Sequence, residues 1–251
     1  MALIDNPRGG YRFASGIAPY SSGVAAMAGY EIIHVTLHRP VPWRQGFDRI
    51  DAHLGALGRP RQALCAIQLR SPEPLSFDGF GAFNQGYRAL LADWDLLVDD
   101  ANPVARTNVA PVVAPPPEAS LYGFAYTVPN ADIGATFVVA GAGDVVSQGL
   151  GDRTIVRDGE TSPDAMAERA THVMGVMAER MASLGVGWTD VSVCNIYTMR
   201  TLEPYLTGTV LTPMNGSAIH GVRWHYAQPP IAGLEFEMDV RGVRQELVID
   251  R

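Results

Sequence analysis

Cysteine is scarce in this sequence: Cys65 and Cys194 are the two in 251 residues. Two thiols cannot supply the framework of a disulfide-stapled fold. Both lie in apolar runs, ALCAIQL and VSVCNIY, which suit buried, reduced side chains rather than nucleophiles. Long apolar runs are missing too; none approaches the about 20 residues that cross a bilayer. The start, MALIDNPRGG, has neither a basic segment nor an apolar one, so no signal peptide is expected and the protein is expected to be cytoplasmic, away from membranes. Basic residues are outnumbered, 19 Lys and Arg against 26 Asp and Glu, giving a net charge of −7 and a pI near 5.3. That balance argues against a nucleic-acid partner, which calls for a basic stripe, and leaves small molecules. No G-x-S-x-G elbow occurs. The glycine-rich GAGDVVSQGLG does not fit a dinucleotide fingerprint and reads as a hairpin loop. His34 and His38 share a strand face but lack a third ligand, so no metal or other cofactor is expected.

What is present is an alternation of β and α patterns. Apolar residues make up 47% of the chain, enough for a sizeable core. YEIIHVTL, QALCAIQL, ARTNVAPVV and LYGFAYTV are apolar, β-branched runs and predict strands. Between them Trp43, Phe47, Ile50, Leu54 and Leu57 recur at spacings of three and four, which marks one helical face, stopped by Gly58 and Pro60. A second helix is predicted over FDGFGAFNQGYRALLADW, with Phe80, Phe83 and Tyr87 on one side. Further on, ATFVVAGAG and VSVCNIYTM predict strands around a long helix with Ser162 as N-cap and Pro163 at its first position. Met166, Ala170, Val173, Met177, Met181 and Leu184 form its buried stripe. LEPYLTGTVL predicts a short, poor helix, and IHGVRWHYA and LEFEMDVRGV the closing strands.

The order repeats. GALGRPRQALCAIQL in the first half matches ASLGVGWTDVSVCNIYT in the second, each a helix ending in Leu-Gly followed by a strand. The expected organisation is two units, residues 1–129 and 130–251, with the boundary near TVPNADIGA. The ordered set APYSSGV, FGAFNQGYRALL, PVARTNV and LEFEMDV resembles the reactive-intermediate deaminase (Rid/YjgF) family. The resemblance covers nearly the whole chain as two tandem copies, and no one motif in it is highly specific. It implies an α+β fold of two tandem chorismate-mutase-like domains, each a mixed β-sheet with two helices on one face. It also implies a homo-oligomer, a trimer of tandem-domain chains, and a metal-independent hydrolysis of enamines or imines bearing a carboxylate, 2-aminomuconate-like acids among them, with release of ammonia.

The site residues follow from the same resemblance, position by position. Arg106 in VART matches the arginine that pairs with the substrate carboxylate; a guanidinium offers that anion a planar, bidentate fork. Thr107 and Asn108 follow it into the cleft. Tyr20 and Asn84 match a tyrosine and a helix asparagine that line it. The first half lacks the family's acid; the second supplies Glu235, with Glu237 and Asp239 on the same strand face by period two. The second half lacks the arginine and has His220 near its place, a candidate acid, base or anion ligand, with Arg223 close by. Gly141 would let backbone approach the ligand. Each of these types also has a plain structural reading: a strand arginine, a strand histidine, a solvated row of acids. The expected catalytic set is Arg106, Glu235 and His220; the expected substrate contacts are Tyr20, Asn84, Thr107, Asn108, Gly141 and Arg223. The uneven halves point to a diverged active site. A different lyase or hydrolase chemistry on the same fold, or a non-catalytic ligand-binding protein, are the alternatives.

Overall fold

A computed structural model describes residues 1–131, 134–146 and 154–250. Three short strands come first, β1 (Leu3–Asn6), β2 (Tyr11–Ala14) and β3 (Gly23–Ala26), then a long one, β4 (Tyr30–Pro42). Helix α1 (Trp43–Ala56) buries Phe47, Ile50 and Leu54, the face its spacing predicts. It ends before Gly58, whose φ of 63° few other residues adopt without strain. Strand β5 (Leu64–Arg70) leads to α2 (Phe77–Asp93), capped by the Ser76 hydroxyl, which accepts from the Gly79 amide at 3.0 Å. Strands β6 (Ala105–Pro111), β7 (Ser120–Pro129) and β8 (Phe137–Gly143) follow. Helix α3 (Pro163–Ser183) starts as its sequence dictates, with the Ser162 hydroxyl accepting from the Ala165 amide and Pro163 in the first turn. After it come β9 (Val193–Tyr197), a helical stretch over 203–220, and the strands β10 (Arg223–His225), β11 (Ala227–Gln228), β12 (Glu237–Gly242) and β13 (Glu246–Ile249).

The strands form a seven-stranded sheet, ordered β1-β2-β3-β8-β12-β9-β10, and a six-stranded sheet, ordered β11-β6-β5-β7-β4-β13. Helix α3 covers the first, packing Met166, Ala170, Val173, Met177 and Met181 against residues such as Phe137, Ile196, Phe236 and Met238. The methionine stripe is therefore core, and each such side chain contributes about 1.5–3 kcal/mol of burial. Helices α1 and α2 cover the second sheet, with Phe47, Ile50, Tyr87 and Leu91 against Val35, Ile67, Leu69 and Phe124. The two inner faces meet around Tyr11, Phe13, Val24, Ala105, Ala125 and Ala140. The layers run helix, sheet, sheet, helix. Among the described residues no helix is long and apolar enough to cross a membrane.

This arrangement corrects the expectation of two tandem chorismate-mutase-like domains, each a sheet with two helices on one face. The N-terminal strands do not complete a first-half sheet: β3 pairs with β8, Gly23 opposite Val139, and so joins the sheet of the second half. The C-terminal β13 crosses the other way and pairs in parallel with β4, Glu246 opposite His34. Helix α3 lies on the seven-stranded sheet and α1 with α2 on the six-stranded one, so the layers are not copies of each other. Strand patterning in sequence says which face is apolar but not which edge a strand joins. The expected boundary segment 127–135 and hairpin loop 141–151 fall partly outside the described residues, at 132–133 and 147–151.

One irregularity positions the site. Between β12 and β8, Met238 pairs with Ala142 and Val240 with Val139, so Ala140 and Gly141 together oppose Asp239. This is a β-bulge, the kind of extra residue that re-aims side chains beside functional sites. Both bulge carbonyls, of Ala140 and Gly141, accept from Nη1 of the buried Arg180 on α3, at 2.9 and 3.1 Å.

Candidate active site

Strand β6 alternates. Ala105, Thr107 and Val109 face the other sheet, where Ala105 and Val109 join apolar clusters, while Arg106 and Asn108 turn toward α2 and line a cavity of about 570 Å³. The cavity is closed by α2 on one side and by β8 and β12 on another. A segment at 17–20 forms a third wall, held by the Asn102 amide on the Pro19 carbonyl (2.7 Å) and the Ser21 hydroxyl on the Pro103 carbonyl (3.0 Å). A fourth wall, with Pro230, Ile231 and Leu234, is tied to the entry of α2 by two backbone bonds, Leu75 amide to Pro230 carbonyl and Ala232 amide to Leu75 carbonyl. Most of the lining is apolar, and its polar groups are few and convergent, the common form of a small-molecule site.

Arg106 is 3% exposed. Its Nη2 donates to Asn84 Oδ1 at 2.6 Å, and its guanidinium lies 4.7 to 5.6 Å from the ring centres of Tyr87, Tyr20, Phe80 and Phe83. Such a cage holds a cation through ring faces without neutralising it. No carboxylate is within ion-pair distance among the described residues, and Nη1 is buried with no hydrogen-bond partner. Burial lowers the Arg106 pKa, with Tyr87, Tyr20 and Glu237 pulling it back up; a guanidinium stays charged regardless. Two residues along the same face, Asn108 accepts from the Ser71 hydroxyl through Oδ1 (3.0 Å) and leaves its Nδ2 buried and unpartnered. Two orphan donors on one strand face cost stability unless an acceptor arrives.

Across the cavity stands Glu237, 3% exposed. Its carboxylate accepts no hydrogen bond among the described residues. It lies against the bulge: a Cβ on Gly141 would collide with Glu237 Oε1. Burial raises the Glu237 pKa well above the carboxylate range; Asp239 and Asp144 raise it further, and Arg180 and Arg106 only partly oppose them. Behind it, Asp239 is fixed by donors from Asn195 (2.7 Å), Tyr197 (2.8 Å) and Gln68 (3.3 Å). The site thus offers a fixed cation with spare donors and a buried acid whose pKa is raised.

The structure gathers Tyr20, Asn84, Arg106, Asn108 and Gly141 around this cavity. Thr107 faces the other way, with its methyl close against Gly141. Glu235 lies outside it, in a bidentate ion pair with Arg200 at 3.0 and 3.1 Å. His220 ends a 3₁₀ turn at 215–220, before Gly221 with φ of 64°, and is exposed rather than on a strand. Arg223 is on β10, exposed and paired with Glu246 at 2.6 Å. Glu237 was on the shared face that the period-two rule gave, without a role; its flanking Phe236, Met238 and Val240 were the signal that this face, too, is buried. Arg180, on the apolar helix α3, had no comparable signal.

Comparison with known proteins completes the picture. The model of the family described as 2-aminomuconate deaminase CnbZ matches residues 3–247. A 2-amino-5-chloromuconate deaminase from Comamonas testosteroni is 40% identical over 252 residues, covering 99% of each chain. A crystal structure of a chorismatase aligns with 91% of this chain and 78% of its own at 11% identity and a TM-score of 0.44. The match over 3–247 as one unit replaces the expected Rid/YjgF membership and tandem duplication.

Proposed function

The chain belongs to the 2-aminomuconate deaminase CnbZ family, and we propose that it hydrolyses the C–N bond of a 2-aminomuconate-like enamine, releasing ammonia. The observation that carries this reading is the pairing of two orphan donors, Arg106 Nη1 and Asn108 Nδ2, with the buried acid Glu237 across one cavity. The carboxylate next to the amino-bearing carbon docks on the donors, a charge-assisted, bidentate contact. That places the reacting carbon beside Glu237.

The proton bookkeeping needs one group that starts protonated. Glu237 gives its proton to a carbon of the conjugated enamine, and the nitrogen lone pair moves in to form an iminium. A water oxygen then bonds to the iminium carbon while Glu237 takes the water's proton. Glu237 returns that proton to nitrogen, the C–N bond breaks, ammonia leaves and a carbonyl forms as the hydroxyl proton passes back to Glu237. The acid ends as it began, and one water is consumed. The Arg106 cation stabilises the negative end of the substrate throughout. A buried acid with a raised pKa suits both halves of the cycle.

The test is direct. Ammonia release and loss of diene absorbance are followed with 2-aminomuconate for the wild type, Arg106→Met and Glu237→Gln. Turnover in the wild type, a raised KM in Arg106→Met and a collapsed kcat in Glu237→Gln are the expected pattern. Full activity in Glu237→Gln, or none in the wild type, would overturn the reading.

A further inference from the structure

Arg106 accounts for one end of the cavity; a second arginine stands in its wall. Arg88 lies on α2, one turn beyond Asn84, and lines the cavity with it. Residues four apart share a helix face, about 6 Å along the axis, so α2 presents a neutral amide beside Arg106 and then a cation farther out. Arg88 uses Nη2 alone in its bonds, to the Asp100 carbonyl (2.8 Å) and carboxylate (2.6 Å). Its Nε and Nη1 make no hydrogen bond among the described residues. Asp100 sits in a tight turn, with Asp99 and Asp100 at φ 46° and 65° closed by reciprocal Val98–Ala101 backbone bonds. Arg88 is half-buried and Asp100 exposed, 31% and 87% of each side chain, so solvent screens the pair and it holds the guanidinium in place more than it cancels its charge. The same cavity has an apolar lining that includes Phe80 and Leu234, which suits an unsaturated carbon chain.

We propose that Arg88 reads the distal carboxylate of a dicarboxylate substrate, and so sets the preference of this site for diacids over monoacids. The proposal rests on the deaminase reading for the orientation: Arg106, which shares the cavity with Glu237, takes the carboxylate adjacent to the reacting carbon, which leaves the far one for Arg88. Its role is in binding and selection, not in proton transfer.

The experiment uses two unreactive ligands of one carbon skeleton, trans,trans-muconate, with two carboxylates, and sorbate, with one. Their affinities for the intact protein are measured by calorimetry. The wild type is expected to bind muconate about ten-fold more tightly than sorbate, the worth of one partly exposed charge-assisted hydrogen bond. Arg88→Met is expected to erase that ratio, Arg88→Lys to keep part of it, and Arg106→Met to weaken both ligands alike. With 2-aminomuconate as substrate, Arg88→Met should raise KM about ten-fold with kcat within two-fold. A ratio unchanged in Arg88→Met, or equal binding of the two ligands by the wild type, would overturn the proposal. Absence of turnover in the wild type would overturn the deaminase reading instead, while the muconate-to-sorbate ratio would still report on Arg88.

Discussion

Two buried arginines flank the same stretch of β8 and end differently. Arg169 of α3 is 0% exposed and donates to Asp144, also 0% exposed, and to the carbonyls of Arg157 and Glu160. Arg106 is nearly as buried, yet it has rings and one amide around it, lines a cavity, and keeps Nη1 without a hydrogen-bond partner. Arg70, Arg180 and Arg241 are buried as well, but these two mark a contrast: for Arg169 the chain supplies the counter-ion, and for Arg106 it leaves the counter-ion to come from outside. A charge buried without a partner is costly, and such a cost is retained where binding or chemistry uses it. Charge pairing and the cavity together separate this structural arginine from the one at the site.

The sharpest way to break the contrast is at the acid facing Arg106. Glu237→Gln keeps shape and removes the proton donor. Activity on 2-aminomuconate is expected to fall by about 10²–10⁴, with thermal stability unchanged or raised, because the variant no longer buries an ionisable group. A fall in melting temperature as large as the fall in rate would mean that Glu237 is structural after all.

The mirror-image change is at Asp144. Asp144→Ala strands Arg169 in the core, and breaking a buried pair by removing one partner costs about 3–5 kcal/mol. Urea unfolding should show that loss. The residual folded enzyme should keep its KM, since Asp144 does not line the cavity; a KM shift larger than the stability loss would merge the two regions. Next in size is Gly141→Ala. Its Cβ would meet Glu237 Oε1 and lie 3.0 Å from the Thr107 methyl, so one of them must move. Overpacking of this kind costs about 1–3 kcal/mol, and here a displaced acid should lower kcat more than it lowers stability. Unchanged kcat would show that Glu237 tolerates a shift.

How much of this was readable beforehand follows the range of the interactions. Helices α1, α2 and α3 and the Ser162 cap are written in spacings of a few residues, and those read true. The exchange of β1–β3 and β13 between sheets depends on pairings across more than a hundred residues, Gly23 with Val139 and His34 with Glu246, which no local pattern encodes. Tyr20, Asn84, Arg106 and Asn108 of the first half and Gly141 of the second line one cavity, although the resemblance in motif order that singled them out suggested the wrong family. Glu235 and Glu237 share a face only while the strand stays extended. The ladder begins at Glu237, paired with Gly143, and the bulge behind Gly141 aims that residue, not its neighbour two before it. His220 was read within a closing strand, IHGVRWHYA, but Gly221 at positive φ closes a turn there.

The smallest effect sharpens the comparison from the structural side, through a third buried polar group, one of whose ring nitrogens has a partner. His34 lies between the sheets, 2% exposed, with Nε2 3.2 Å from Gln68 Oε1, and Gln68 reaches on to Asp239. Burial, then Arg241, pushes its pKa down to about 3, against Glu246, Gln68 and Asp239. The unfolded chain therefore takes a proton near pH 6.5 that the native state refuses until about 3. In that window the unfolded state binds more protons, so stability is full above pH 6.5 and falls as pH drops, by up to about 1.4 kcal/mol per unit for this one group. His225, pushed down to about 4 by burial and then Arg70, adds a share of the same sign. Urea midpoints between pH 7 and 5 should decline accordingly, and His34→Gln, which cannot take the proton, should flatten the decline without touching kcat. An unchanged slope in that variant would place the acid sensitivity in His225 alone and leave His34 a spectator in the network that supports Asp239.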